Sequence, residues 1–408
     1  MTANIKQNLI RFLGGVAGVR PSIWMMALAP FMILFESGSG YTVMSIRPFL
    51  ALYGLFYYLE YATGQHKPYI TKMHFYIIAY LAAITLTTLF IPTYNNSYFS
   101  TLFIGVIFFL LLSQCLRRQE IALLANSYVA VTTCISVLLF IQHQSYQGFD
   151  GRRTISFMGS QGQDPNFLAA IMLMPIVILA YRTLMHKRLA WRLCYGALFL
   201  FNTAALVYLG SRSAVMLLGI ACAILGVWYL LQNKVPIKTL FIVGAVLIAA
   251  AAVGLIILPT ELKTRFFGYN YMADTGNQDR LSVWIACIKM FTHAPFIGVG
   301  LGGVLVNSLR FGARRTMLAH NTYLEVLASG GLLSFVPFIM MCTHLLRRCL
   351  KMAYLPLCAM LFTGFASAFF INAQDVPFFG RTLFFVFFIV EYLEHHKEEG
   401  VRLEDVLL

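Results

Sequence analysis

Of the 408 residues, 59% are hydrophobic and only 11% carry a charge. A soluble domain carries about 25% charged residues, so this composition excludes a large soluble core and points to an all-α, polytopic membrane protein. The net charge of +14 raises the question of nucleic acid, but the basic residues come in small groups between apolar runs, as membrane topology requires. No nucleic-acid partner is expected.

A bilayer core takes about 20 apolar residues per helix. On that measure the chain holds about twelve spans, near 20–38, 42–61, 73–92, 99–115, 121–142, 165–182, 189–209, 212–232, 237–257, 321–345, 354–372 and 379–393. The basic, amphipathic lead-in MTANIKQNLIRFLGG has no small-residue cleavage site and is not expected to be a removed signal peptide. No internal repeat or linker is visible, so 1–408 reads as a single membrane domain. Residues 258–320 form a large polar loop between the ninth and tenth spans, expected to carry short amphipathic helices. The eight cysteines are scattered, mostly in apolar stretches, without CxxC spacing, and read as small buried hydrophobes.

Counting Lys and Arg on alternate sides puts 18 on one face, with every connection there contributing, and 12 on the other. By the positive-inside rule the first face is cytoplasmic and both termini lie inside. The cytoplasmic set holds 8 lysines and 10 arginines, the outer set 2 lysines and 10 arginines. Topology needs only charge, which lysine supplies equally well. Arginine's planar fork suits phosphate oxygens, so the outer bias suggests an anionic ligand there. The alternative is pairing with outer carboxylates such as Asp150, Asp164, Glu261 and Asp279.

Arg212, in YLGSRSAVMLLGI, sits at the outer end of a span. A charge there costs about 2.5–3.5 kcal/mol on insertion scales, so it reads either as a functional group facing the interior or as an arginine reaching to the headgroups. Arg280 opens DRLSVWIACIKMF, where Leu281, Trp284, Ile285, Ile288 and Phe291 share one face of a helix too short to span. That helix is expected at the interface, anchored by Trp284, with Asp279 as cap and Arg280 in the first turn, near free N–H groups. The plainer alternative is an Arg280 paired with Asp279 or a lipid phosphate. HAPFIGVGLGGV (293–304) is glycine-rich but lacks the Lys-Ser/Thr of a phosphate-binding loop, and reads as a tight backbone path against the membrane surface. His320 begins the tenth span in LAHNTYLEVLASGGLL, with Asn321 or Thr322 as N-cap and Glu325 deeper in the same span. An imidazole there can accept or hand on a proton.

Two weaker candidates complete the outer face. Asp164-Pro165, in GSQGQDPNFLAA, reads as a helix start, with Arg152 and Arg153 adding charge nearby. Asp375 and Arg381 share the connection between the last two spans, where Asp375 could orient a histidine or simply pair with Arg381. No HExxH, CxxC or DxD-type cluster appears, so metal-independent chemistry without a cofactor is expected.

With SRSAVMLLGI, DRLSVWIACIKMFTHAPFIGVGLGG and HNTYLEVLASGGLLSF in place, the chain resembles the bacterial O-antigen ligase and polymerase superfamily over roughly 205–335. DPNFLAA also looks like the polymerases of that group. The resemblance implies a metal-independent, inverting glycosyltransferase of the bacterial inner membrane whose active site faces the periplasm. Its donor would be an undecaprenyl-diphosphate-linked glycan. It maps essential arginines onto Arg212 and Arg280; from the arginine-rich outer face, Arg152, Arg153 and Arg314 are further diphosphate-binding candidates. It maps the essential histidine onto His320 and, less sharply, an orienting carboxylate onto Asp375. A polymerase of O-antigen or related surface-polysaccharide repeats is the leading expectation. The alternatives are a ligase that moves finished glycan onto lipid A-core, and a flippase for the lipid-linked sugar. A chain-length regulator or a lipid A-core acceptor would be the further partner.

Overall fold

The computed structural model describes residues 18–34, 43–65, 70–91, 117–142, 144–147, 153–156, 164–233, 275–351, 355–370 and 376–408. The chain enters through α1 (Pro21–Leu28), which runs on as a 3-10 turn (Ala29–Leu34), then α2 (Val43–Ala62), α3 (Lys72–Phe90) and α4 (Arg118–Gln142). After a short hairpin come α5 (Pro165–Met185), α6 (Leu189–Tyr208) and α7 (Arg212–Asn233). The polar segment holds α8 (Thr275–His293) and the single turn α9 (Gly303–Asn307). The remaining helices are α10 (Thr322–Lys351), α11 (Leu355–Phe370), α12 (Val376–His395) and α13 (Leu403–Leu407).

Helices α3, α4, α5, α6, α7 and α10 are each long and apolar enough to cross a membrane. The spans expected at 99–115 and 237–257 lie outside the described residues. One departure from an all-α chain is the hairpin of β1 (Gln144–Gln147) and β2 (Arg153–Ser156), antiparallel with Gln144 opposite Ser156. Its local cause is legible: the apolar run of α4 has ended, and Thr154-Ile155 is a β-branched pair that fits a pleated ribbon better than a helix.

Helix boundaries follow from local chemistry. Asp164 caps α5 as expected, its Oδ1 accepting from the Asn166 amide at 2.8 Å, with Pro165 at the first helical position. Gly210, at φ 68, closes α6 by donating its amide to the Val207 carbonyl, and this left-handed residue lets α7 start two positions later. In the lipid-spanning region polar side chains must satisfy one another. Asn202 of α6 does so against α4: it meets Ser136 Oγ at 2.7 Å and donates to Thr133 Oγ1 at 3.2 Å. Such interhelical bonds average about 0.6 kcal/mol and rarely exceed about 1.7. Asn202→Leu should therefore lower stability by roughly 1 kcal/mol, read as a modest fall in the thermal midpoint of detergent-solubilised protein.

The contacts sort the charged residues by end. Arg20 is buried and grips Glu120 through Nε and an amino nitrogen, both at 2.8 Å. Buried Glu60 accepts from the Ser22 amide (2.9 Å) and hydroxyl (2.7 Å), placing a carboxylate at the N-terminus of α1. Arg182, 3% exposed, donates to the Leu407 carbonyl at 2.7 Å, so α13 is latched onto α5. Arg348 is paired with Glu391 and Glu394 of α12. All these cations belong to the more basic of the two faces assigned by alternation. The expected catalytic groups are elsewhere, at the start of α7, in the second turn of α8 and just before α10.

Candidate functional site

The site is built on a broken helix. At Gly331 the backbone of α10 leaves helical geometry, with φ 56 and ψ −159. A break this early in an apolar helix frees carbonyls before it and amides after it, and each is costly to bury unpaired. The glycine-rich segment after α8 supplies all four partners. Val299 and Gly300 donate to the Ala328 and Ser329 carbonyls at 2.9 and 2.8 Å. The Pro295 and Phe296 carbonyls accept from Leu332 and Leu333 at 2.8 and 3.1 Å. Glycine is required on both sides: a Cβ at Gly298 or Gly331 would fall inside 3.0 Å of the opposing backbone. The tight backbone path expected of 293–304 is made against α10. Its glycines let one backbone press on another, while Phe296 and Ile297 turn exposed apolar side chains outward.

The same contact anchors α8. Val283, Ala286, Cys287 and Met290 form its buried face, packing with Val299, Val304, Ala313, Met317, Ala319 and Ala328 in a small core of their own. Leu281, Ile285 and Ile288 of the expected stripe form the exposed face. That apolar surface still suits a helix at the bilayer interface, but Trp284 is no headgroup anchor. Its indole N–H donates to the Ala319 carbonyl at 2.7 Å, and its ring meets Phe369 edge-on at 5.7 Å. Burial, with the Glu325 charge added, pushes the Cys287 thiol well above the usual range, which removes it as a nucleophile.

His320 sits where these elements meet. It is half-buried, and among the described residues it is the non-glycine with positive φ, at 50. Such a conformation costs about 1–3 kcal/mol and persists only when its surroundings impose it. Asn321 is the cap, its Oδ1 accepting from the Leu324 amide at 3.1 Å, and α10 starts at Thr322. Glu325, 1% exposed, turns back so that its Oε1 accepts from the Ala319 amide at 2.7 Å. The peptide groups on either side of Ala319, just before His320, are therefore both held.

The arginines distribute unequally. Arg280 lies in the second turn of α8, because the helix begins at Thr275; Asp279 does not cap it. Asp279 instead faces Arg315, whose Nε stands 2.8 Å from Oδ2 in an ion pair held by charge rather than by an aligned hydrogen bond. Arg280 is one helical turn before Trp284, on the same face of α8. Arg314 lies along the same helix: its amide donates to Ser282 Oγ at 3.1 Å and its exposed side chain bonds Gln278. Arg212 opens α7, half-buried, directly after buried Ser211. Arg153 lies on β2 with its side chain outside the described residues, as are Arg152 and Asp375 altogether. Among the described residues no group of three or more His, Cys, Asp or Glu side chains is placed to hold a metal. The Trp284–Ala319–Glu325 contacts were not legible in the sequence, because both side chains bind the Ala319 backbone, which leaves no side-chain signature.

Six helices long and apolar enough to cross a membrane, one of them broken and braced by a polar segment, fit a multi-pass membrane protein. Residues 196–339 match the family described as O-antigen ligase, a stretch that runs from α6 into α10 and takes in Arg212, Arg280 and His320. The match covers about a third of the chain and supports a likeness to the O-antigen ligase/polymerase superfamily, which suggests a glycosyl-transferring enzyme. No curated protein matches the chain.

Proposed function

We propose that the protein is a periplasm-facing glycosyltransferase of the inner membrane that polymerises undecaprenyl-diphosphate-linked surface-polysaccharide repeats. The observation that carries the reading is the bond from Trp284 to Ala319, which ties the arginine-bearing helix α8 to the residue before His320. Arg280 and Arg212 would grip the donor diphosphate and stabilise the charge that grows on it as the glycosidic bond breaks. His320 would take the proton from the acceptor hydroxyl as its oxygen attacks the anomeric carbon opposite the diphosphate, giving inversion. With alternating spans, α7 begins on the face where α11 ends, and α11 carries the Phe369 that touches Trp284. Arg212 then belongs to the same face.

A second reading has its own support. The matched family is described as O-antigen ligase, and the capping role of Asp164 accounts for DPNF without any link to polymerisation. The ligase would use the same arginines and histidine with lipid A-core as acceptor. Purified protein given lipid-diphosphate-linked oligosaccharide alone separates the two: release of lipid diphosphate with lengthening glycan supports the polymerase. Release only when lipid A-core is added supports the ligase, and transport of intact donor without release would sink both. Arg280→Lys should lower turnover about 10- to 100-fold, since a charge-assisted bond is worth roughly 1.5–3 kcal/mol and lysine keeps the charge but not the fork.

A further inference from the structure

The lead-in to α10 is held more tightly than capping requires. A capping carboxylate satisfies free amides of the first helical turn, or that of the cap residue itself. Here Asn321 already caps α10 through Leu324, and Glu325 reaches past the cap to the Ala319 amide. A carboxylate at 1% exposure costs several kcal/mol unless hydrogen-bonded, so its placement calls for a use. On the opposite side of the same residue, Trp284 of α8 holds the Ala319 carbonyl. Ala319 itself is fully buried, and the strained residue comes immediately after it.

We propose that Glu325 is a positioning residue for His320. Its carboxylate fixes the Ala319 amide while Trp284 fixes the Ala319 carbonyl, and the two together impose the left-handed backbone on which the imidazole is presented. Glu325 does not meet substrate; it acts by locking the peptide from which His320 projects. A histidine free to relax to an ordinary negative φ would swing its side chain away from the acceptor hydroxyl. A misplacement of about 1 Å is enough to cost 100-fold in rate. The catalytic half of this inference rests on the role given to His320 above, whereas the clamp itself does not.

The test uses full-length protein in lipid nanodiscs carrying Glu325→Ala, Glu325→Gln or Trp284→Phe. Steady-state turnover of a lipid-diphosphate-linked oligosaccharide is read beside hydrogen exchange of the peptide covering 317–323. Glutamine keeps an acceptor oxygen of the same reach, so Glu325→Gln should retain both the exchange protection and kcat. Glu325→Ala should lose protection at Ala319 and drop kcat about 100-fold, with KM changed by no more than about twofold. Trp284→Phe, which keeps a ring against Phe369 but has no N–H, should drop kcat likewise. It carries the test alone if Glu325→Ala fails to fold. Unchanged kcat in Trp284→Phe, or a Glu325→Gln variant as inactive as alanine while still protected, overturns the proposal. If the exchange pattern appears as expected but wild type itself turns over no donor, the clamp stands and the glycosyl-transfer reading falls.

Discussion

Replacing His320 with asparagine is expected to lower release of lipid diphosphate about 10²- to 10⁴-fold, the usual contribution of a positioned acid–base group. Asparagine is the informative choice because, like histidine, it tolerates the left-handed region, so the φ of 50 survives and only the proton acceptor is lost. Alanine would remove the imidazole and add backbone strain at once. Donor binding should be nearly unchanged, since the diphosphate is assigned to Arg212 and Arg280. A fluorescent lipid-diphosphate donor titrated against wild type and variant measures this directly. If His320→Asn keeps more than about a tenth of wild-type turnover, the imidazole is not the base.

The second large effect concerns the fold. Gly298→Ala and Gly331→Ala each drive a methyl into opposing backbone, and neither side is the flexible end of a side chain. Both residues also sit at positive φ, 66 and 56, where alanine is strained. Relief requires separating the loop from α10, which strips partners from the amides and carbonyls that the break exposes. The expected loss exceeds about 4 kcal/mol, in the range reserved for backbone clash or unpaired buried groups. In practice the variants should fail to give monodisperse protein on gel filtration in detergent. Gly64→Ala is the matched control: φ is 73, yet nothing lies within 4 Å of the added methyl. It should cost only about 1–2 kcal/mol, the ordinary left-handed penalty.

Helix positions were largely legible because length and continuous apolarity suffice to mark them. The stretches expected at 165–182, 189–209 and 212–232 agree with α5, α6 and α7 to within a few residues. Asp164 as a cap was legible too, since Asp-Pro at the head of an apolar run has a local cause. The inward face of α8 was not. The helical period marks Leu281, Ile285 and Ile288 as an apolar stripe suited to the bilayer interface, but the smaller residues Val283, Ala286 and Cys287, which pack inward, give no comparable signal. The start of α8 was missed for a related reason. Asp279 looks like a cap, but its carboxylate is engaged by Arg315, thirty-six positions on. The role of PFIGVG was hidden because backbone-to-backbone pairing leaves only glycines in the sequence, with no side-chain signature of the partner.

The latch between Arg182 and Leu407 bears on how such a chain is made. Synthesis releases the polypeptide from its N-terminus onward, and domains tend to form as they emerge. Arg182 is placed in the membrane 225 residues before the carbonyl it binds. Throughout that interval a guanidinium at the end of α5 has Tyr195, 5.5 Å away, as an early neighbour, but lacks its hydrogen-bond acceptor. Arg20, likewise, waits 100 residues for Glu120. Assembly of the basic end is therefore retroactive: late-made segments complete sites laid down by early ones. A ribosome-bound chain halted before α13 should hold its spans loosely, as a substrate for membrane proteases rather than as a smaller finished protein.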